Sequence, residues 1–288
     1  MRKEKYAIFT MDVEAFADTE CVNKARENLE LDVLDGFDEY VNLLDKHDIK
    51  GTFFTVADLV PQMHQRIDGI VQNGHKLALH GVKHVATLDI DEQEFRKSLS
   101  EAKDSLGKMF NTEVVGFRAP FFSIDTNRLN ILKELGFQYD SSHLGFSKAR
   151  HTVQLDFKGY DQVHTGILKD RDFMEFSLCK DEILGMPYPV SGGGYIRLGN
   201  WPFMKSIVKR YIHKNDYYVF YLHPFELTKQ KIPFFKNMKM RDRYYLQHGI
   251  KTYAKHIEQI IVMLKKEGYR FVTFEELAQI VSAEATCR

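Results

Sequence analysis

The feature that most constrains this chain is a rhythm: short apolar runs alternate with longer stretches whose apolar residues recur every three to four positions. "KYAIFTMDV", "KGTFFTV", "HKLALHG", "VVGFRAP" and "FQYDSS" read as strands. Between them, "VLDGFDEYVNLLDKHD", a stretch ending at "QNG", "DIDEQEFRKSLSEAKDSLGKMF" and "DTNRLNILKELG" read as helices. Five β/α units thus fill residues 4 to 142. From about 143 to 195 the rhythm lapses; "DFMEFSL" is a candidate strand, and proline and glycine make "GMPYPVSGGGY" a loop. It resumes with "NWPFMKSIVKRYIHKN" as helix, "YYVFYLHPF" as strand, a long helix through "YAKHIEQIIVMLKKEG" and a last strand "YRFVTF". Such alternation implies a parallel sheet covered by helices, either closed as a barrel or open and doubly wound. No linker, repeat or low-complexity segment divides the chain, so a single domain over residues 1–288 is expected. In folds of this kind the chemistry gathers at the carboxyl ends of the strands.

Composition narrows the function by exclusion. Lysine plus arginine equal aspartate plus glutamate at 40 each, so no global field argues for nucleic acid. Cys21, Cys179 and Cys287 are odd in number and share no CxxC spacing, which speaks against a disulfide framework and a cysteine-based zinc site. The basic start is followed by an apolar stretch broken at Asp12 and Glu14, too short for a signal peptide or a membrane span. A cytoplasmic location is the expectation.

Several polar residues sit where strands should end. Asp12 and Glu14 fall on the same side of the first strand by its two-residue period; taken alone, either acid would also serve as a helix cap or a solvated loop residue. His80 and His84 follow the third strand, and an i, i+4 pair on a helical turn lets two imidazoles converge on one cation with a carboxylate as third ligand. Alone, such a pair is also common by chance. Arg118 ends the fourth strand in "GFRAPFF", with a surface ion pair as its bland reading. His223 ends "YYVFYLHPFE", where an imidazole suits proton transfer at neutral pH or a structural hydrogen bond. Glu226, three residues on, would orient the loop rather than react.

Taken in order, "TMDVE", "GHKLALHGVKH", "RAPFF", "YDSS" and "YLHPFE" resemble the five motifs of the polysaccharide deacetylase family, the NodB-homology domain of carbohydrate esterase family 4 type. The resemblance runs from residue 10 to 226. It implies a deformed (β/α)7 TIM-like barrel holding a divalent metal, usually Zn2+, that activates water to hydrolyse the N-acetyl group of a sugar. Carried over residue by residue, Asp12 matches the general base, and His80 and His84 match the metal histidines, with Gly74 and His75 also in place. Arg118 matches the arginine that orients the base, and Asp140 falls in the fourth motif. Leu222 matches the pocket leucine and His223 the general acid, while the backbone N–H of Phe121 corresponds to the oxyanion donor.

Two departures stand out. Val13 occupies the position of the usual metal aspartate, so the carboxylate ligand is missing unless Glu14 supplies it; this Asp-x-Glu arrangement resembles a subgroup in which the ligand shifts by one position. Gly81 stands where a serine or threonine usually steadies the metal loop. Similarity to that subgroup, whose members often sit in surface-glycan pathways, points to removal of acetyl from an amino sugar of a surface polysaccharide or its carrier-linked precursor. The alternatives are a metal-free, allantoinase-like hydrolase of a small amide and a sugar-binding barrel without chemistry. Finally, "KQKIPFFKNMKMRDRYY", residues 229 to 245, carries Lys229, Lys231, Lys236, Lys239, Arg241 and Arg243 against Asp242 alone. By composition it is a solvated loop entering the last long helix. By position it would contact the diphosphate of a nucleotide- or lipid-linked sugar, with peripheral membrane contact.

Overall fold

The computed structural model describes residues 4–19, 21–22, 33–145, 153, 155–233 and 238–286. Its strands are β1 (Lys5–Val13), β2 (Thr52–Thr55), β3 (Lys76–Leu79), β4 (Gly116–Phe117), β5 (Tyr139–Asp140), β6 (Asp161–His164), β7 (Ile167–Asp170), β8 (Phe173–Phe176), β9 (Lys180–Ile183), β10 (Met186–Pro189), β11 (Tyr217–Leu222) and β12 (Tyr269–Phe271). The helices are α1 (Asp35–Lys46), α2 (Val60–Gln72), α3 (Glu92–Phe110), α4 (Thr126–Glu134), α5 (Gly193–Leu198), α6 (Trp201–Lys214), α7 (Met240–Gln247), α8 (Ile250–Lys266) and α9 (Phe274–Thr286).

The main sheet runs β11-β1-β2-β3-β4-β5-β8-β7-β6, with β12 beside the start of β1. Pairing is parallel from β11 to β8 and antiparallel through β7 and β6. β2 and β11 are buried at every position, the expected state of parallel strands covered on both faces. The helices supply the cover: α3 buries Phe95, Leu99, Ala102, Leu106 and Phe110, one stripe at helical spacing, and Asp91 caps it by accepting from the N–H groups of Gln93 and Glu94. The sheet curls, and after β8 the chain returns to β11 through Val190 N–H to the Cys179 carbonyl and Tyr221 N–H to the Ser191 carbonyl. This is the deformed barrel expected of the chain, closed by irregular backbone rather than by a strand pair.

The start of α9 closes the end of the barrel at which the strands begin. Phe274 packs on Phe176, Tyr139 and Phe54, its ring centroids 4.6, 5.4 and 6.0 Å away, and Lys76 at the start of β3 pairs with Glu275 at 3.0 Å. The carboxyl ends of the strands are left for the site. No helix among the described residues is long and apolar enough to cross a membrane.

The segment from 143 to 195 corrects one expectation. "GMPYPVSGGGY" is not all loop: Met186–Pro189 forms β10, paired antiparallel with β9, and α5 begins at Gly193. Both strands of a two-stranded hairpin are edges, so Pro187 and Pro189 cost little there. The antiparallel strands β6 to β8 need only tight turns, so the spacing of β/α units gives no hint of them.

Candidate active site

Parallel strands bring their carboxyl ends to one rim, and the polar residues that end them meet there. A cleft of about 800 Å³ opens on this rim, lined among others by Asp12, Glu14, His80, His84, Phe121 and His223. Asp12 lies in β1 and Glu14 just beyond it; His80, Arg118 and His223 each follow the last residue of β3, β4 and β11.

Glu14, His80 and His84 each place one ligand atom within 4.8 Å of the others. His84 Nε2 lies 2.6 Å from Glu14 Oε2, both side chains nearly closed off from solvent. His80 Nδ1 is 2.8 Å from the Arg118 carbonyl oxygen, to which it donates. That hydrogen bond leaves His80 Nε2 unprotonated, the state a ligand requires. Burial pushes the His80 imidazole down to about 4, so it is neutral at pH 7. Burial alone would raise Glu14, but the charges on His84 and His223 outweigh it and hold the carboxyl at about 2. Burial likewise opposes charge on His84, and Glu14 overrides it to raise the imidazole above its ordinary value. A buried set of two imidazoles and one carboxylate, one imidazole fixed by a second-shell carbonyl, fits a divalent ion of the zinc type.

The histidines do not sit on a helical turn. Residues 81–86 form an irregular loop because Gly81 adopts φ +80, which no helix can continue. A Cβ there would lie 3.1 Å from the Lys83 carbonyl oxygen and 3.2 Å from Pro120 Cγ, which accounts for glycine where serine or threonine is usual. The Gly81 and Val82 carbonyls accept from the Ala57 and Asp58 N–H groups, tying the loop to the exit of β2.

Arg118 is no surface residue. Its side chain is wholly buried behind Asp12, with Nη1 2.6 Å from Asp12 Oδ1. Nη1 also reaches Thr10 Oγ1 at 2.9 Å, Nε donates to the Ser141 carbonyl at 3.0 Å and Nη2 to Ser141 Oγ at 2.9 Å. The guanidinium lies 4.2 Å from the centre of the Phe54 ring. Phe121 and Phe122 both have positive φ, 56° and 57°. Two successive aromatic residues in the left-handed region are costly and mark this turn as held by its surroundings; the Phe121 ring packs 4.4 Å from that of His84.

On the other wall, burial works against charge on His223, but the carboxylates of Glu14, Glu226 and Asp12 prevail and push the imidazole up to about 9. Besides Arg118, two of the residues singled out in the sequence lie away from the cleft lining. Leu222 is packed in the hydrophobic core, and Asp140 is wholly buried, accepting from Ser142 Oγ at 2.8 Å and Ser142 N–H at 2.9 Å. Its neighbour Glu175, from β8, was not singled out, although a glutamate inside the apolar run "DFMEFSL" is a visible signal. Ser141 and Ser142 were not singled out either; Ser142 Oγ accepts from the Ala119 N–H at 2.8 Å, so both serines of "YDSS" hold the Arg118 turn. His75 faces away from the rim, its Nδ1 accepting from the Gly51 N–H at 2.9 Å.

The remaining walls come from later in the chain: Tyr188 on β10, Tyr195 and Leu198 on α5, and Arg241, Tyr244 and Tyr245 on α7 line the same cleft. The Arg241 side chain is 89% exposed and points to solvent at its mouth. Lys229 pairs with Glu39 instead, while Phe234, Phe235 and Lys236 lie outside the described residues.

Comparison with known proteins bears on the fold and the family of the chain. A family profile described as "Polysaccharide deacetylase" matches residues 32–139, and one described as "Domain of unknown function (DUF3473)" matches residues 148–279. The peptidoglycan deacetylase-like protein FGM2 of Gibberella zeae is 30% identical over 122 residues, 42% of this chain; the match spans 35% of that relative's length. A polysaccharide deacetylase structure from Mycobacterium smegmatis superposes with a TM-score of 0.63 at 15% identity, covering 99% of this chain and 93% of the other. The structure of Puue allantoinase superposes with a TM-score of 0.60 at 14% identity, covering 95% and 89%. The fold is thus the deformed barrel that these two structures share. Residues 32–139 match the polysaccharide deacetylase profile, within a chain whose fold is shared with solved polysaccharide deacetylase structures over nearly its whole length.

Proposed function

We propose that the chain is a metal-dependent deacetylase that removes the acetyl group from an N-acetylated amino sugar of a surface polysaccharide or its carrier-linked precursor. The observation that carries this reading is the convergence of Glu14, His80 and His84 beside Asp12 and opposite His223 in one cleft. Those three residues would hold the ion, with Glu14 standing in for the carboxylate that Val13 lacks, the Asp-x-Glu arrangement. A divalent cation there, Zn2+ by its donor set, supplies a Lewis acid that polarises an amide carbonyl and lowers the pKa of a water from about 15.7 to about 7.

The chain's own groups do the rest. Asp12, held in place by Arg118, takes a proton from the attacking water as its oxygen bonds to the amide carbon. The Phe121 N–H donates to the oxygen on which charge develops. His223, protonated at neutral pH, gives its proton to the nitrogen as the C–N bond breaks, leaving acetate and a free amine. Tyr188 and Tyr195 line the cleft and suit packing against a pyranose, and Arg241 at the mouth suits an anionic carrier group. The donor set favours this over a metal-free amide hydrolase, and a paired base and acid favour it over a binding module.

The test is acetate release from N-acetylglucosamine oligomers and from a nucleotide-linked N-acetyl sugar, by metal-loaded wild type, Asp12→Asn and His223→Ala. Release by the wild type should fall at least about 100-fold in both variants. No release from any N-acetylated sugar, or full release by Asp12→Asn, would reject the reading.

A further inference from the structure

His223 is anchored by a neighbour from its own turn. Its ring Nδ1 lies 3.2 Å from Glu226 Oε2, and the same oxygen accepts the His223 backbone N–H at 3.1 Å. Glu226 Oε1 in turn accepts from Arg197 Nε at 2.8 Å, both side chains wholly buried. Arg197 donates through Nη1 to the His248 carbonyl, and its guanidinium lies against the rings of Phe225 and Tyr245, 5.4 and 5.3 Å from their centres. The His223 ring itself stacks on Phe225 at 5.9 Å and meets the edge of Tyr221 at 5.8 Å. From the other side, α1 presses on this turn at Gly36, where a Cβ would stand 1.8 Å from the Pro224 carbonyl oxygen.

Among the described residues no hydrogen bond or ion pair joins Asp140 to His223; both Asp140 oxygens are taken up by Ser142, with Glu175 alongside. We propose that Glu226, held by Arg197, is the residue that positions the His223 imidazole for proton donation. The inference rests on the reading of His223 as the acid. An ionised Glu226 fixes the proton on Nδ1 and leaves Nε2 as the atom presented to the cleft. Glu226 remains ionised because Arg197 overrides its burial and holds the carboxyl below its ordinary value. A buried ion pair adds little to stability against well-packed apolar residues, so its use here is orientation. Arg197, Glu226 and His223 all fall within residues 148–279, the region matched by the profile of unknown function.

The experiment compares wild type with Glu226→Gln, which keeps shape but not charge, and with Arg197→Met/Glu226→Met, which replaces the pair by apolar side chains of similar size. The ring nitrogens of His223 are followed by two-bond ¹H–¹⁵N correlation, and kcat and KM for an N-acetylglucosamine oligomer are measured across pH. The neutral wild-type ring should carry its proton on Nδ1, and the double variant should lose that preference. In Glu226→Gln, kcat should fall about tenfold and in the double variant about 100-fold, with KM within about twofold. Loss of the negative charge disfavours the imidazolium, so the alkaline limb of kcat should move to lower pH. The double variant holds no lone buried charge, and its melting temperature shows that it folds. An unchanged tautomer and a wild-type kcat in that folded variant would overturn the positioning role. If the wild type releases no acetate, the functional reading fails alone, and the tautomer still decides whether Glu226 anchors the ring.

Discussion

Replacing Arg118 by glutamine strands the Asp12 carboxylate. The pair is sealed from solvent with 2.6 Å between Nη1 and Oδ1, and Arg118 places four further contacts around it: Thr10, the Ser141 carbonyl and hydroxyl, and the Phe54 ring. Two unit charges about 4 Å apart at an effective dielectric of about 20 interact by about 4 kcal/mol. Removing one partner of such a buried pair costs about 3–5 kcal/mol, because the other is left uncompensated. Arg118→Gln should therefore lose about that much in urea denaturation at neutral pH. Asp12→Asn, which leaves a buried guanidinium with its remaining acceptors, should lose about 2–4 kcal/mol. Asp12→Asn/Arg118→Gln buries no lone charge, and its loss should fall short of the sum of the singles by about 2–3 kcal/mol. Strict additivity, within about 0.5 kcal/mol, would refute the claim that the two act as one buried pair.

Two further outcomes follow from geometry and from burial. Gly81→Ala sets a Cβ at φ +80 against the Lys83 carbonyl and Pro120, so it should cost about 1–2 kcal/mol and weaken divalent-ion binding by displacing His80 and His84; calorimetric titration showing wild-type affinity would contradict this. Burial raises Asp140 from 3.8 to about 6 and raises Glu175 well above its ordinary value. Because both folded-state values lie above the unfolded ones, the pair's contribution is fully present below about pH 4 and declines as pH rises, through about 6 for Asp140 and at higher pH for Glu175. Urea melts between pH 4 and 7 should show a smaller loss in Asp140→Asn/Glu175→Gln than in the wild type, and parallel curves would refute the assignment.

What the sequence showed and what it hid have physical reasons. Central parallel strands are buried on both faces, so an apolar run such as "YYVFYL" ends visibly at its first polar residue, and that residue stands on the rim. Asp12, Glu14, His80, Arg118 and His223 were legible for this reason. Register along a two-residue strand is not, which is why Asp140 could be named without knowing that it turns into the interior toward Glu175. Gly81 looked like a lost hydroxyl in the sequence, and only its positive φ explains it. Antiparallel pairings between β6 and β10 leave no β/α spacing to read. The final helix, Phe274–Thr286, follows "YRFVTF" so closely that its first aromatic residue reads as the end of a strand. Arg197 sits in "GGGYIRLG", where nothing local announces that its partner is Glu226, 29 residues on.

The central claim is that Glu14, His80 and His84 hold one divalent ion, and elemental analysis of protein purified without chelator tests it most directly. The wild type should carry about one ion per chain, zinc by preference of its donors. His80→Ala and His84→Ala should each lose most of it, and Glu14→Ala should bind at least about tenfold more weakly on titration. Full occupancy retained in both histidine variants would contradict the account.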